Sequence, residues 1–145
     1  MSSTLESLKY KRGELTVIDQ LRLPSELVYL PVKTAEDAWQ VIRTMQVRGA
    51  PLIAIVAALG LAVHVNSERE SFPTVEVAKT FLLDKIEYLR TSRPTAVNLF
   101  VATDELRSIV ENSSAEESAT VQSLTDAFLV AAESMLVKDI ATNKR

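Results

Sequence analysis

The sequence predicts an α+β fold, in which a small three-stranded antiparallel N-terminal sheet is followed by a bundle of about five helices. The first third has short β-branched and apolar runs separated by glycine and proline, which is typical of a strand meander. The remainder has apolar residues at three- and four-residue steps, which is typical of helices. A chain of 145 residues can bury one core. We therefore predict a single domain over 1–145, with a β-meander at 1–33 and a helical bundle at 34–140.

Three short runs in the first third predict the strands, namely Leu8–Tyr10, Leu15–Ile18 and Leu27–Leu30. Lys11–Gly13 forms the predicted turn between the first two strands, and Pro31 ends the third. We expect Lys11 and Arg12 to decorate this hairpin, with contact between the turn and a ligand as the alternative. A sheet of this size needs a covering layer, so the helices that follow must pack against it.

The first two helices have clear start signals. The Thr34 hydroxyl can accept a hydrogen bond from the backbone of Asp37, which predicts the first helix. Its expected inner residues are Ala38, Trp39, Ile42 and Met45. The second helix is expected to run from Pro51 to near Asn66, and it is apolar on every face, which predicts a buried helix. Its apolar stretch of about 16 residues is shorter than the roughly 20 that span a membrane.

Three more helices complete the predicted bundle. The third should begin after Thr74, with inner residues Val77, Phe81 and Leu89. The fourth should have an inner stripe of Leu99, Ala102, Leu106 and Ile109. Ser114 and Glu117 match a capping box, which predicts the start of the last helix there and its end at about Lys138.

The composition narrows the possible functions. A formal net charge of −3 gives no basic surface for nucleic acid or for an anionic membrane, so we expect neither as a partner. The 145 residues contain no cysteine, which excludes disulfides, thiolate metal sites and a cysteine nucleophile among them. The polar N-terminus lacks the apolar core of a secretory signal.

Two similar motifs predict a site for an anion. In Val47–Pro51 and in Ser92–Leu99, an arginine precedes a proline that opens an apolar helix. Arg48 and Arg93, together with the free amides and the positive dipole end of each helix, suit a phosphate group. Gly49 allows a ligand to approach the backbone closely. The alternative is that both arginines only satisfy chain turns or acidic neighbours.

The remaining polar residues give no recognisable catalyst. His64 is the only histidine, and a packed or hydrogen-bonded core residue is the favoured interpretation over a metal ligand. For Asp19 and Asp37, capping or surface roles are favoured over acid–base chemistry. No Ser-His-Asp set and no glycine-rich phosphate loop is evident. The residues alone therefore indicate anion binding without catalysis.

The chain resembles the N-terminal region of the methylthioribose-1-phosphate isomerases, which belong with the initiation factor 2B alpha, beta and delta subunits. The resemblance starts near Leu5 and covers nearly the whole chain. Its marks are Tyr10–Gly13, Leu15–Leu23 with Asp19-Gln20, Ala38-Trp39 with Ile42, Val47–Pro51, Ser92–Leu99, Lys138-Asp139 and Asn143. The Val47–Pro51 and Ser92–Leu99 motifs together make the match specific.

The resemblance implies an enzyme of methionine salvage, and so of methionine and amino-acid biosynthesis. Such an isomerase converts 5-methylthioribose 1-phosphate to 5-methylthioribulose 1-phosphate without a metal or a cofactor. It implies that Arg48, Gly49, Ala50 and Arg93 bind the sugar phosphate. The family's catalytic cysteine and aspartate lie in a Rossmann-like C-terminal domain, so no catalytic residue is expected in this chain. The family also implies a homo-oligomer in the cytoplasm, and in the nucleus as well.

Two interpretations of the chain follow from this resemblance. One is the substrate-binding part of the isomerase, inactive alone because the C-terminal domain is absent. The alternative is a non-catalytic truncated isoform, or a regulatory or scaffold protein related to the initiation factor 2B subunits. In either case we expect an apolar face that another domain normally covers.

Overall fold

The computed structural model of the chain describes residues 8–19, 28–44, 50–93 and 97–143. These residues form a three-stranded antiparallel sheet and five helices, which confirms the predicted α+β fold. The strands are β1 (Leu8–Lys11), β2 (Glu14–Ile18) and β3 (Tyr29–Pro31). The helices are α1 (Ala35–Arg43), α2 (Ala50–Glu68), α3 (Val75–Arg90), α4 (Val97–Ala115) and α5 (Val121–Asn143).

The sheet is a meander in the order β1-β2-β3, as its short runs predict. Val17 pairs with Leu8 on one side and with Leu30 on the other. Leu8, Leu15 and Val17 are buried, so one face of the sheet packs onto the core. The tight β1–β2 turn contains Gly13 at φ +90°, a conformation that side chains disfavour.

The hairpin is tied to the last helix by an ionic contact. Tyr10 donates its hydroxyl hydrogen to Glu133 Oε2 at 2.5 Å. The Arg12 Nε and Nη2 groups donate to the two oxygens of the same carboxylate at 3.1 and 2.8 Å. The expectation that Arg12 only decorates the turn is therefore wrong, because it makes a bidentate bond to α5. Burial and the nearby Glu133 carboxylate raise the pKa of Tyr10, so its phenol keeps this hydrogen.

Helix α1 begins where its capping residues predict. Thr34 Oγ1 accepts a hydrogen bond from the backbone N–H of Asp37 at 3.0 Å. The Asp37 carboxylate in turn accepts one from the backbone N–H of Lys33 at 3.0 Å. These two bonds satisfy free donors at the helix start, which confirms the capping interpretation of Asp37.

Helix α2 is the buried core helix that its composition predicts. Every residue from Leu52 to Val65 except Ala54 is buried. Helices α1, α4 and α5 pack against it, and it ends at Glu68, two residues beyond the expected Asn66. Within the described ranges, none of the helices combines the length and the apolarity needed to cross a membrane.

His64 is a core residue of α2, as favoured from the sequence. Its Nδ1 atom accepts a hydrogen bond from the backbone N–H of Ala35 at 3.0 Å. Its ring meets the edge of Phe81 at 5.0 Å between centroids. Burial holds the pKa of His64 below its usual 6.5, against the opposing attraction of Glu36. The neutral imidazole thus supplies the acceptor for the first helical residue of α1.

The predicted inner stripes of the third and fourth helices need correction. Val77 is 44% exposed, and Phe81 and Ile109 are only partly buried. Helix α3 is capped by Thr74 and begins at Val75. In this helix Ala78 faces the core, and the adjacent residue Val77 does not. The buried residues of α3 are Ala78, Leu82, Ile86 and Leu89, and those of α4 are Leu99, Ala102, Thr103, Leu106 and Val110.

The last helix begins later than the sequence predicts. Ser114 lies within α4, which continues to Ala115, so the capping box that was expected there is wrong. The cap is Thr120, whose Oγ1 accepts from the backbone N–H of Ser123 at 3.0 Å. Ser123 Oγ accepts from the backbone N–H of Thr120 at 2.8 Å, which completes a reciprocal pair with serine in the usual place of glutamate. The helix ends at Asn143, not at Lys138.

Gly60 is required for the close approach of α1 to α2. A Cβ atom at this position would lie 2.7 Å from Ala38 Cβ and 3.1 Å from Val32 Cγ1. Over-packing costs about 1–3 kcal/mol, whereas alanine gains roughly 1 kcal/mol over glycine in a helix. We expect Gly60→Ala to lower the free energy of unfolding in urea. Ala38→Gly in the same chain should recover part of the loss, and additive effects would contradict a direct contact.

The burial of His64 makes the stability of the protein depend on pH. The His64 imidazole takes up a proton less readily in the folded protein than in the unfolded chain, because its folded pKa is lower. The stabilisation from the neutral His64 is therefore present above about pH 6.5 and is lost as the pH falls through the lower folded pKa. The measurement is urea unfolding at about pH 7.5 and about pH 5.5. His64→Asn keeps an acceptor but cannot titrate, so it should lose less stability over this interval. Equal losses in the two proteins would exclude His64 as the cause.

Candidate anion-binding site

The predicted site residues lie on two connections between helices. Arg48 and Gly49, on the α1–α2 connection, lie outside the described residues. Ala50 is the first residue of α2. Arg93 lies in a bend directly after α3 and is partly buried.

Helices α1 and α2 run antiparallel. Ala35, at the start of α1, bonds to His64 near the end of α2, and Ala38 lies next to Gly60. Since the sequence numbers fall along α2 as they rise along α1, the end of α1 points towards the start of α2. Ala50 therefore lies at the same end of the bundle as the last turn of α1.

Helices α3 and α4 form a second antiparallel pair. Arg90, the last residue of α3, donates to Asp104 Oδ1 at 2.6 Å and to Thr103 Oγ1 at 3.0 Å. Glu87, one turn earlier, accepts from Arg107 at 3.3 Å. The start of α4 therefore lies beside the end of α3, on the side where Arg93 follows.

Helices α1 and α3 run parallel, and this orientation joins the two pairs. Lys85 donates to Glu36 at 2.6 Å, and Trp39 stacks on Tyr88 with 5.7 Å between ring centroids and 17° between planes. The ends of α1 and α3 consequently lie side by side. We call this part of the molecule, which comprises Thr44, Ala50, Thr91–Arg93 and Val97, the motif end.

The segment that carries Arg93 is held by short hydrogen bonds. Trp39 Nε1–H donates to Thr91 Oγ1 at 2.9 Å. The Thr91 hydroxyl donates to the backbone carbonyl of Tyr88 at 2.6 Å, and the Ser92 hydroxyl donates to that of Leu89 at 2.6 Å. Ser92 is fully buried. The two residues before Arg93 are therefore fixed to the last turn of α3 and to α1.

Arg93 differs from the other partly buried arginines of the described chain. Arg69 pairs with Asp126, and Arg90 pairs with Asp104 while stacking on the Phe100 ring at 4.6 Å. No carboxylate among residues 8–19, 28–44, 50–93 and 97–143 pairs with Arg93. An acidic neighbour therefore does not explain this arginine within the described chain.

Two of the other polar candidates lie away from the motif end. His64 and Asp37 serve the start of α1, at the opposite end of the bundle. Asp19 is 3% exposed, so the expectation of a surface role for it is wrong. In the part of the chain that the structure describes, no three His, Asp or Glu side chains are grouped to hold a metal ion.

A cavity of about 550 Å³ also lies far from the motif end. It opens between β2, β3 and the last turns of α2, next to Val63 and Ser67. Thr34, at the start of α1, forms another part of its wall. Because these residues are at the opposite end from Arg93, the cavity is separate from the predicted anion site.

Comparison with known proteins gives consistent matches. The family model "Initiation factor 2 subunit family" matches residues 46–145. Methylthioribose-1-phosphate isomerase of Vitis vinifera is 49% identical over 141 residues, which is 97% of this chain and 37% of that protein. The protein of the same name from Drosophila persimilis is 46% identical over 141 residues, again 97% of this chain and 38% of the relative. The chain thus spans less than two fifths of the length of these curated relatives.

Two solved structures share the fold. 5-Methylthioribose 1-phosphate isomerase from Pyrococcus horikoshii OT3 superposes with a TM-score of 0.80 at 29% identity, covering 94% of this chain and 37% of that one. The delta subunit of translation initiation factor eIF-2B from A. fulgidus gives a TM-score of 0.75 at 29% identity, covering 92% and 37%. Likeness of fold therefore extends to an isomerase and to a translation factor subunit.

Proposed function

The chain belongs to the Initiation factor 2 subunit family, and we propose that it forms the substrate-binding N-terminal part of a methylthioribose-1-phosphate isomerase. The proposed reaction is the aldose–ketose conversion of 5-methylthioribose 1-phosphate to 5-methylthioribulose 1-phosphate in methionine salvage. Curated relatives at 42–49% identity that carry this name support the assignment. We propose a homo-oligomer in the cytoplasm and nucleus on the resemblance alone.

The observation that carries this proposal is the partly buried Arg93 at the motif end, with no carboxylate partner in the described chain. A phosphate group would supply the missing counter-charge through charge-assisted hydrogen bonds. The start of α2 lies at the same end, and the N-terminus of a helix favours an anion through its dipole. In this proposal Arg93 and Arg48 bind the phosphate, and Gly49 and Ala50 bring the backbone close to it.

The catalytic groups come from another part of the protein in this proposal. The chain has no cysteine, so the family's catalytic cysteine and aspartate would be supplied by a Rossmann-like C-terminal domain outside 1–145. Arg69 follows the end of α2 and pairs with Asp126 near the start of α5. Helix α5 therefore runs back towards the motif end. A domain that continues from Asn143 would begin near the anion site.

A regulatory or scaffold role is the second candidate. The fold likeness to an initiation factor subunit favours it, because that likeness is nearly as close as the one to the isomerase. A scaffold has no need to bind a sugar phosphate. Specific binding of 5-methylthioribose 1-phosphate therefore separates the two candidates.

We expect Arg93→Ala to weaken the binding of 5-methylthioribose 1-phosphate to the 145-residue chain. A hydrogen bond to a charged group contributes about 1.5–3 kcal/mol, so affinity should fall roughly 10- to 100-fold. Titration followed by amide chemical shifts or calorimetry measures this change. Arg107→Ala is the matched control, because Arg107 is exposed and lies on the α3–α4 surface. Equal affinity of wild type and Arg93→Ala would remove Arg93 from the site.

The purified 145-residue chain should bind the sugar phosphate without converting it. The reason is that the proposed catalytic cysteine and aspartate are not among these residues. A coupled or NMR assay for 5-methylthioribulose 1-phosphate measures the conversion. Isomerase activity that co-purifies with the chain through every step would contradict the proposal that the catalytic groups lie outside these 145 residues.

A further inference from the structure

We propose that Trp39 is a positioning residue for Arg93, acting through Thr91. The inference rests on the proposed function, in which Arg93 binds a phosphate group. Trp39 lies on α1 and Arg93 follows α3, so the contact fixes one helix connection from a neighbouring helix. No described atom of Trp39 bonds to Arg93 itself, and the effect passes through the backbone of Thr91–Arg93.

The geometry gives Thr91 a role that a simple helix cap lacks. Its Oγ1 atom accepts from Trp39 Nε1–H at 2.9 Å and donates to the Tyr88 carbonyl at 2.6 Å. A tryptophan N–H is a donor only, whereas a threonine hydroxyl can accept and donate at once. The indole therefore orients the hydroxyl so that its hydrogen points to Tyr88. The backbone N–H of Thr91 also bonds to the Tyr88 carbonyl, at 3.1 Å.

The Trp39 ring is itself firmly placed. It stacks on Tyr88 with nearly parallel planes, and both rings pack against the core. The adjacent α1–α3 ion pair, Lys85 to Glu36, fixes the relative height of the two helices. The indole N–H is thus directed at Thr91 by contacts that do not involve the anion site. A side chain held in this way can preorganise a binding group and so reduce the ordering cost of ligand binding.

The test removes the indole N–H and leaves the stacked ring. Trp39→Phe and Thr91→Val are compared singly and together in the 145-residue chain, with inorganic phosphate as the probe. We expect amide exchange at Ser92 to accelerate, and phosphate affinity to fall, by about 2- to 10-fold, the range that one net hydrogen bond supplies. The double variant should equal Thr91→Val alone, since both changes break the same bond. Thr91→Ser keeps the hydroxyl, so its Ser92 amide exchange and its phosphate affinity should equal those of the wild type.

Thr125→Val is the matched control for a merely structural effect. The Thr125 hydroxyl donates to the Val121 carbonyl, as Thr91 does to Tyr88, but it lies at the opposite end of the bundle. This variant should leave both Ser92 exchange and phosphate affinity unchanged. The same acceleration at Ala35 and Ser92 in Trp39→Phe would show a general loss of stability and overturn the positioning role.

The two readouts also separate this inference from the proposed function. If wild type binds no phosphate while Trp39→Phe still accelerates exchange at Ser92 alone, the proposed function fails and the positioning of the Arg93 segment stands. If Trp39→Phe leaves amide exchange at Ser92 unchanged, the positioning role is wrong, whether or not the affinity for phosphate changes. If exchange changes but the affinity of a phosphate-binding wild type does not, Trp39 orders the segment without positioning Arg93, which also overturns the inference.

Discussion

Helix α2 determines where the other helices lie, because it is buried along almost its whole length and α1, α4 and α5 all pack on it. Burying each large apolar side chain contributes about 1.5–3 kcal/mol, so no packed helix can leave α2 without a large loss. One position on α2 is decisive. At Gly60 the missing side chain lets Ala38 of α1 approach more closely than any other residue type would allow.

The position of α1 follows from that approach, and the geometry of the motif end follows from α1. With Ala38 against Gly60, the backbone N–H of Ala35 reaches His64 at one end of α1. One residue after Ala38, Trp39 reaches Tyr88 on α3 and Thr91 directly after that helix. A helix that stood further from α2 could not make both contacts at once. The small residue in the core and the indole at the motif end are therefore parts of one packing arrangement.

Much of the fold could be predicted because its signals are local. The strand meander, the Thr34 cap and the fully apolar α2 each depend on residues that are neighbours in sequence. The hydrogen bond between Arg12 and Glu133 could not be predicted, because 121 positions separate the two residues and only the packing of α5 brings them together. The start of α5 was missed for a different reason. Ser114 offers as good a local cap as Thr120, but α4 continues through Ser114 to Ala115 and the cap forms at Thr120.

The candidate site shows the same division between local and tertiary signals. An arginine directly before a proline is visible in the sequence, and this pattern indicates Arg93 directly. That the ends of α1 and α3 lie together depends on their parallel packing, which no local pattern specifies. The contribution of Trp39 was missed because its helical spacing indicates a core residue, and its N–H partner is 52 positions away. The roles of Arg48, Gly49, Ala50 and Arg93 in binding stay predictions.

The charge of the chain explains why positioning matters at such a site. With a net charge of −3, these 145 residues taken together do not attract an anion, and screening limits exposed charges to about 8–10 Å in any case. Affinity must then come from groups that contact the anion directly.

The described chain neutralises Arg69 and Arg90 with its own carboxylates but leaves Arg93 without one. An uncompensated guanidinium is useful only where its segment is held still, because a mobile arginine would lose in ordering entropy what it gains in charge. The hydrogen-bonded Thr91 and Ser92 hydroxyls meet that requirement on the two residues before it.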